Sequence, residues 1–200
     1  PQGPFAVPGT YQVSLSQRVL GEWQDLAGPQ PVVVKPMFEG GLVTDDREAL
    51  HAFQMQTASL YRAVEGAERA SGEIQARIDH LMAAIRETPG ASEADAQAVR
   101  GLRTRMQDVV VALSGDSTVS SRNEATPMSI ATRISNIVNG SWDTQSGPSG
   151  NLVDSYAIAD RQFRAVIAEL KSVDSELQAL EAKLETEGAP WTPGRVPDWD

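Results

Sequence analysis

The sequence predicts a mainly α-helical chain: an up-down-up antiparallel three-helix bundle whose second pass is broken in two, preceded by a short N-terminal β-hairpin. Three observations predict it. Apolar residues recur in unbroken alternation of three and four along two long stretches, 50–85 and 156–184. A shorter stretch with the same spacing, 99–113, and an apolar face over 130–138 lie between them. Period-two alternation, the mark of a strand, is confined to the first forty residues.

The hairpin comes first. In GTYQVSLSQ, residues 9–17, Tyr11, Val13 and Leu15 fall on one face and Gln12, Ser14 and Ser16 on the other. Pro31-Val32-Val33-Val34-Lys35 is the second strand, which leaves Trp23 in the connecting loop. Residues 1–43 thus hold the hairpin and a linker, and 44–200 hold the bundle and a Pro/Trp-rich C-terminal tail.

Thr44-Asp45-Asp46 offers an N-cap with acidic residues in the first turn. The inward positions of the first helix then read Leu50, Phe53, Thr57, Leu60, Val64, Ala67, Ser71, Ile74, Ile78, Leu81 and Ile85, until Thr88-Pro89-Gly90 stops it. A helix of that span is roughly 60 Å long and must lie against others. The small residues Ala67 and Ser71 imply close helix approach or room for a bulky partner such as Phe163.

A capping box, Ser92 to Asp95, opens the second helix, whose inward residues are Val99, Leu102, Met106, Val109 and Leu113. Ser114-Gly115 ends it, and a polar loop over 115–125 follows. Thr126 as N-cap and Pro127 at the first helical position restart the pass. Ile130, Ile134, Ile137 and Val138 form its apolar face and Asn139-Gly140 its end. The last helix is capped by Ser149 or Asn151 and buries Tyr156, Ala159, Phe163, Val166, Leu170, Val173, Leu177, Leu180 and Leu184. Gly188 and Pro190 terminate it. Short connections make the successive passes antiparallel neighbours.

A formal net charge of −10, with arginines scattered rather than clustered, argues against nucleic acid and anionic membranes as partners. The absence of cysteine excludes disulfides, thiolate metal sites and cysteine nucleophiles. The longest apolar runs, such as Val109 to Leu113, are too short for membrane insertion. The chain opens on Pro1-Gln2-Gly3-Pro4 without a methionine, as a cut chain would.

Catalytic motifs are sparse. Glu48 and His51 form a Glu-x-x-His pair, half of a carboxylate-bridged metal site, but His80 follows Arg77 and supplies no second half. No Gly-x-Ser-x-Gly elbow, phosphate-binding glycine loop, EF-hand or zinc spacing occurs. Asn139-Gly140-Ser141 is a formal glycosylation sequon. The expectation is a non-enzyme with no cofactor and no metal.

The tail GAPWTPGRVPDW, with its prolines, cannot be helix; it packs across the bundle or hairpin, or binds a partner or a sugar face. Trp23 and Trp142 face the same choice as Trp191 and Trp199, so these four are the candidate contact residues.

A lone hairpin is marginal in water. PGTYQVSL followed by PQPVVVKP has the spacing of the last strands of an immunoglobulin-like sandwich, with Tyr11 opening a late strand. With DREALHAFQMQTASLYRAV and the closing GAPWTPGRVPDW, these segments resemble the C-terminal region of sortilin-like (VPS10/BNR-repeat) β-propeller proteins, often labelled glycosyl hydrolases. The resemblance implies a secreted, periplasmic or cell-envelope protein with the propeller and most of the immunoglobulin-like sandwich upstream as partners. The propeller's Asp-box repeat is absent: SGDSTVSS, at 114–121, lacks its Gly and its Trp. No propeller residue therefore transfers, and any hydrolase activity would reside upstream. The expected function is a non-catalytic C-terminal structural, interaction or assembly module of such a protein. The alternatives are a carbohydrate-binding accessory module using the four tryptophans and a self-associating subunit, oligomer or filament, joined through the hairpin edge.

Overall fold

The computed structural model describes residues 3–36, 46–190, 192 and 193. Two strands, β1 (Gly9–Val19) and β2 (Glu22–Val34), form one antiparallel ribbon. Among the described residues five helices follow: α1 (Arg47–Glu87), α2 (Glu93–Ser114), α3 (Ser117–Ser120), α4 (Ile130–Ser141) and α5 (Gly150–Thr186). The chain is thus mainly helical with an N-terminal hairpin, as the patterning requires.

α1 begins where the Asp46 side chain accepts the Ala49 N–H at 2.8 Å. Thr44 and Asp45 lie outside the described residues. At 41 residues α1 is the longest element, and it ends at Thr88, whose amide donates back to Ile85. Between Leu60 and Leu81 its buried residues are the expected ones. At both ends the buried stripe slips by one residue. Gln54 and Ala58 are buried beside Thr57 while Phe53 sits half-buried, edge-on to Tyr156 at 6.0 Å. Ala84 replaces Ile85 inside.

α2 starts on the capping box: Asp95 accepts from the Ser92 amide at 3.0 Å, and the Ser92 hydroxyl oxygen accepts from the Asp95 amide at 3.3 Å. Val99, Leu102, Met106, Val109 and Leu113 are all buried. The polar connection contains one helical turn, α3, capped by Asp116, which accepts from Thr118 and Val119.

α4 departs from the expected start. Its N-cap is Ser129, which accepts the Thr132 N–H, rather than Thr126 with Pro127 in the first turn. An extra turn would order residues 127–129 while burying nothing large, since Met128 stays 46 % exposed. α4 also runs through Asn139-Gly140 to Ser141, because Ser141 is wholly buried and its carbonyl accepts the Gln54 side-chain amide at 2.6 Å. Tertiary packing there outweighs a sequence stop signal. Ser149, not Asn151, caps α5.

α2 and α4 each pack on both α1 and α5, and α1 packs on α5, so the broken return pass closes a three-helix cross-section. Side-chain pairs fix the directions: Phe53 with Tyr156 and Arg77 with Asp174 run α1 parallel to α5. Asp95 with Lys183 and Arg105 with Glu169 run α2 antiparallel to it. The core is one cluster from Leu60 to Leu184 that includes Ala67 and Phe163. Among the described residues, no helix is long and apolar enough to cross a membrane.

Candidate interaction surface

The ribbon is longer than the sequence pattern predicts. β2 starts at Glu22 and pairs Trp23 with Arg18, so Trp23 is a strand residue, not a loop residue. The sequence pattern opens the second strand only at Pro31, but β2 runs back from there through Gly28-Pro29-Gln30 to Glu22, two register shifts taking up the extra residues. The connection is only Leu20-Gly21, with φ of 51° and 93°. Two positive φ values make a turn whose twist matches the strands, as in type I′ hairpins. Glycine occupies the left-handed region freely; Leu20 does so under strain and fully exposed.

Every residue of β1 and all of β2 except Val34 are exposed, on both faces. Among the described residues, neither strand packs on a helix. Cross-strand pairing puts Tyr11 beside Val32 and Leu15 beside Ala27, so one face of the basal half is apolar and open. Val13 is 52 % and Leu15 59 % exposed. The distal half is polar, with Ser16 bonded to Asp25 at 2.7 Å and Gln17 to Gln24 at 3.0 Å. The Tyr11 hydroxyl donates to the Val7 carbonyl at 2.6 Å, pinning the entry to β1.

The candidate contact tryptophans do not converge. Trp23 projects from β2 into solvent, 71 % exposed, with the Arg18 guanidinium 6.0 Å from its ring. Trp142 is the C-cap of α4, half-buried and edge-on to Tyr61 at 6.4 Å. Its ring is part of the bundle's packing. Trp191 and Trp199 lie outside the described residues.

A cavity of about 450 Å³ separates the ribbon base from the first turns of α1; Phe5, Val34, His51, Gln54 and Asp143 are among the residues that line it. The His51 Nδ1 is buried there without a hydrogen-bond partner. His80 is exposed on the far part of α1. Among the described residues, no group of three or more His, Cys, Asp or Glu comes together to hold a metal ion. Asn139, the sequon residue, is exposed within α4.

Charged clusters in the bundle tie helices together. Arg77 of α1 donates to Glu181 at 2.7 and 3.2 Å and to Asp174 at 2.6 Å, both on α5. The bond to Glu181 raises the arginine's pKa against the opposing effect of burial, and Asp174 adds to it. Arg105 of α2 donates to Glu169, Glu176 and Ser172 of α5. Those carboxylates raise its pKa, Glu176 most, and Arg105 holds the Glu176 carboxyl below its usual range. Lys183 pairs with Asp95, and this bond with the Ser92 cap lowers the Asp95 pKa to about 2. Sequence reasoning missed these clamps because their members lie outside the apolar seams and meet only through the helix order. What the geometry presents is a clamped helical body bearing an uncovered ribbon. No protein-family model, curated protein or solved structure matches this chain at a significant level.

Proposed function

We propose that this chain is a non-catalytic structural and assembly module, and that the ribbon is its docking element. What supports the reading is one observation: a ribbon of eleven- and thirteen-residue strands has nearly every side chain in water on both faces. Two strands without a packed face are marginal alone, so further β-structure or an apolar surface stabilises them. The bundle supplies a rigid body about 60 Å long behind it. Read with the resemblance of the chain's segments to the end of sortilin-like propeller proteins, the module belongs to a larger secreted or envelope protein whose propeller carries any hydrolase chemistry.

The test is an activity and binding survey of the purified chain beside the mass of the native protein in its source. The chain is expected to leave glycosides and peptides intact, and the native protein to be longer. Hydrolysis by the chain unaided would refute the reading. A sugar-binding role has one observation in its favour, the exposed Trp23 with Arg18 against it. Tryptophan fluorescence of the chain unmoved by a broad panel of polysaccharide fragments removes that role.

A further inference from the structure

The two edges of the ribbon are unequal. Between Val13 and Leu15 of β1, β2 passes from Gln30 to Ala27; between Leu15 and Ser16 it passes from Ala27 to Asp25. Both extra residues therefore lie in β2, and β1 runs without a bulge. β2 also carries Pro29 and Pro31. A proline stands in a ladder only where its missing N–H faces away from the partner strand. Pro31, opposite Gln12, accordingly removes a donor from the outer edge of β2. Bulges and edge prolines are the devices that keep a strand from taking another neighbour. β1 has neither.

Backbone groups alternate sides along a regular strand, and the Gln12–Pro31 pair fixes the parity. The N–H and C=O groups of Thr10, Gln12, Ser14, Ser16 and Arg18 point to the open edge. We infer that this edge takes the β1 strand of a second copy, antiparallel, about a two-fold axis at Ser14. In that register Thr10 meets the other Arg18, Gln12 meets the other Ser16, and Ser14 meets itself. Each such pair exchanges two bonds, about ten in all, which is the number a specific interface typically carries.

The side chains fit the same axis. Val13 falls opposite Leu15 of the second copy, joining the two open apolar faces into one four-stranded face. Arg18 is the only charge in β1 and faces Thr10, so no like charges oppose. Charges balance over residues 1–36, Arg18 and Lys35 against Glu22 and Asp25, although the whole chain carries −10. The ribbon is thus where two acidic chains can meet with little repulsion. Both outer edges of the pair are β2 strands with prolines and bulges, so association closes at two and does not grow into a filament.

This inference rests on the reading of the ribbon as an assembly element. Its test uses the whole chain, which has no cysteine of its own. Opposed residues in such a pair have Cα atoms ~5.5 Å apart, within disulfide reach. Ser14→Cys is expected to give a disulfide-linked dimer rapidly under mild oxidation, and Ser16→Cys, whose counterpart is Gln12, far more slowly. The unsubstituted chain should sediment at roughly twice its 21.5 kDa. Gln12→Pro, which removes only an outward N–H, should sediment as a monomer with unchanged helicity. A monomeric parent chain at its highest soluble concentration, equal cross-linking at the two cysteines, an undiminished Gln12→Pro dimer or open-ended polymers would each overturn the pairing. None of these touches the reading of a non-catalytic module, which falls to unaided hydrolysis instead.

Discussion

Replacing Arg77 with methionine should destabilise the bundle by about 3 kcal/mol, the lower end of what breaking a buried ion pair costs. The structure says where that cost arises. Glu181 is 3 % exposed and takes two hydrogen bonds from the guanidinium, so without Arg77 its carboxylate is left dry and unpaired. Asp174 is 35 % exposed and also accepts from Gln178, so it rehydrates at small cost, under about 1 kcal/mol. The methionine retains the apolar stem that covers the α1–α5 seam. Urea unfolding followed by far-ultraviolet circular dichroism measures the difference. In a thermal melt it corresponds to a drop of roughly 6 to 12 °C for a chain of this size. Adding Glu181→Leu should return stability to within about 1 kcal/mol of the parent, because the cost is the orphaned charge and not the loss of attraction. A loss under about 1 kcal/mol in Arg77→Met would refute the assignment of that cost. So would a double variant no more stable than the single one.

Three further outcomes follow from named contacts. The Asp95 carboxyl is held at about 2, below its ordinary 3.8, by Lys183 and the Ser92 cap. A depressed folded pKa adds stability that is present above the unfolded value and lost as pH falls through the folded one. The melting temperature should therefore decline between about pH 4 and 2. Asp95→Asn should flatten that limb; an unchanged acid limb would count against the pairing. Leu20→Asn relieves a branched residue from the left-handed region at a gain of about 1 kcal/mol, read as slower amide exchange along the ribbon. Slower exchange confined to the bundle would contradict it. Acrylamide should quench Trp23 emission strongly and Trp142 weakly, each measured with the remaining tryptophans replaced by phenylalanine; equal quenching would mean that Trp142 is not packed on Tyr61.

The middle of α1 and the length of α2 were legible because apolar periodicity reports burial directly, as at Val99 to Leu113 and Leu60 to Leu81. Along α5 the expected Tyr156, Val166 and Leu180 are only half-buried, and Glu181 goes inside because Arg77 pairs with it. The ends were less so. Thr126-Pro127 and Ser129 are both competent starts, and only the absence of a large side chain to bury before Ile130 decides between them. Gln54 looked like a surface residue; its burial depends on the Ser141 carbonyl, 87 residues away in sequence. The second strand was half hidden because Gly28, Pro29 and Pro31 look like breakers when read singly, yet suit an edge once paired. The ribbon's exposure was legible only through the likeness to the last strands of a sandwich, which leaves the covering sheet elsewhere; the alternation alone predicts a buried face.

Dividing the return pass between two helices gives the protein a natural seam. Residues 121–128 are exposed throughout and carry no helix or strand. The segments on either side are each held against both α1 and α5. A protease nick or a new peptide inserted there should leave two pieces that remain associated and complement one another. In a larger assembly, this is the position where the rod could gain a side branch without losing its axis.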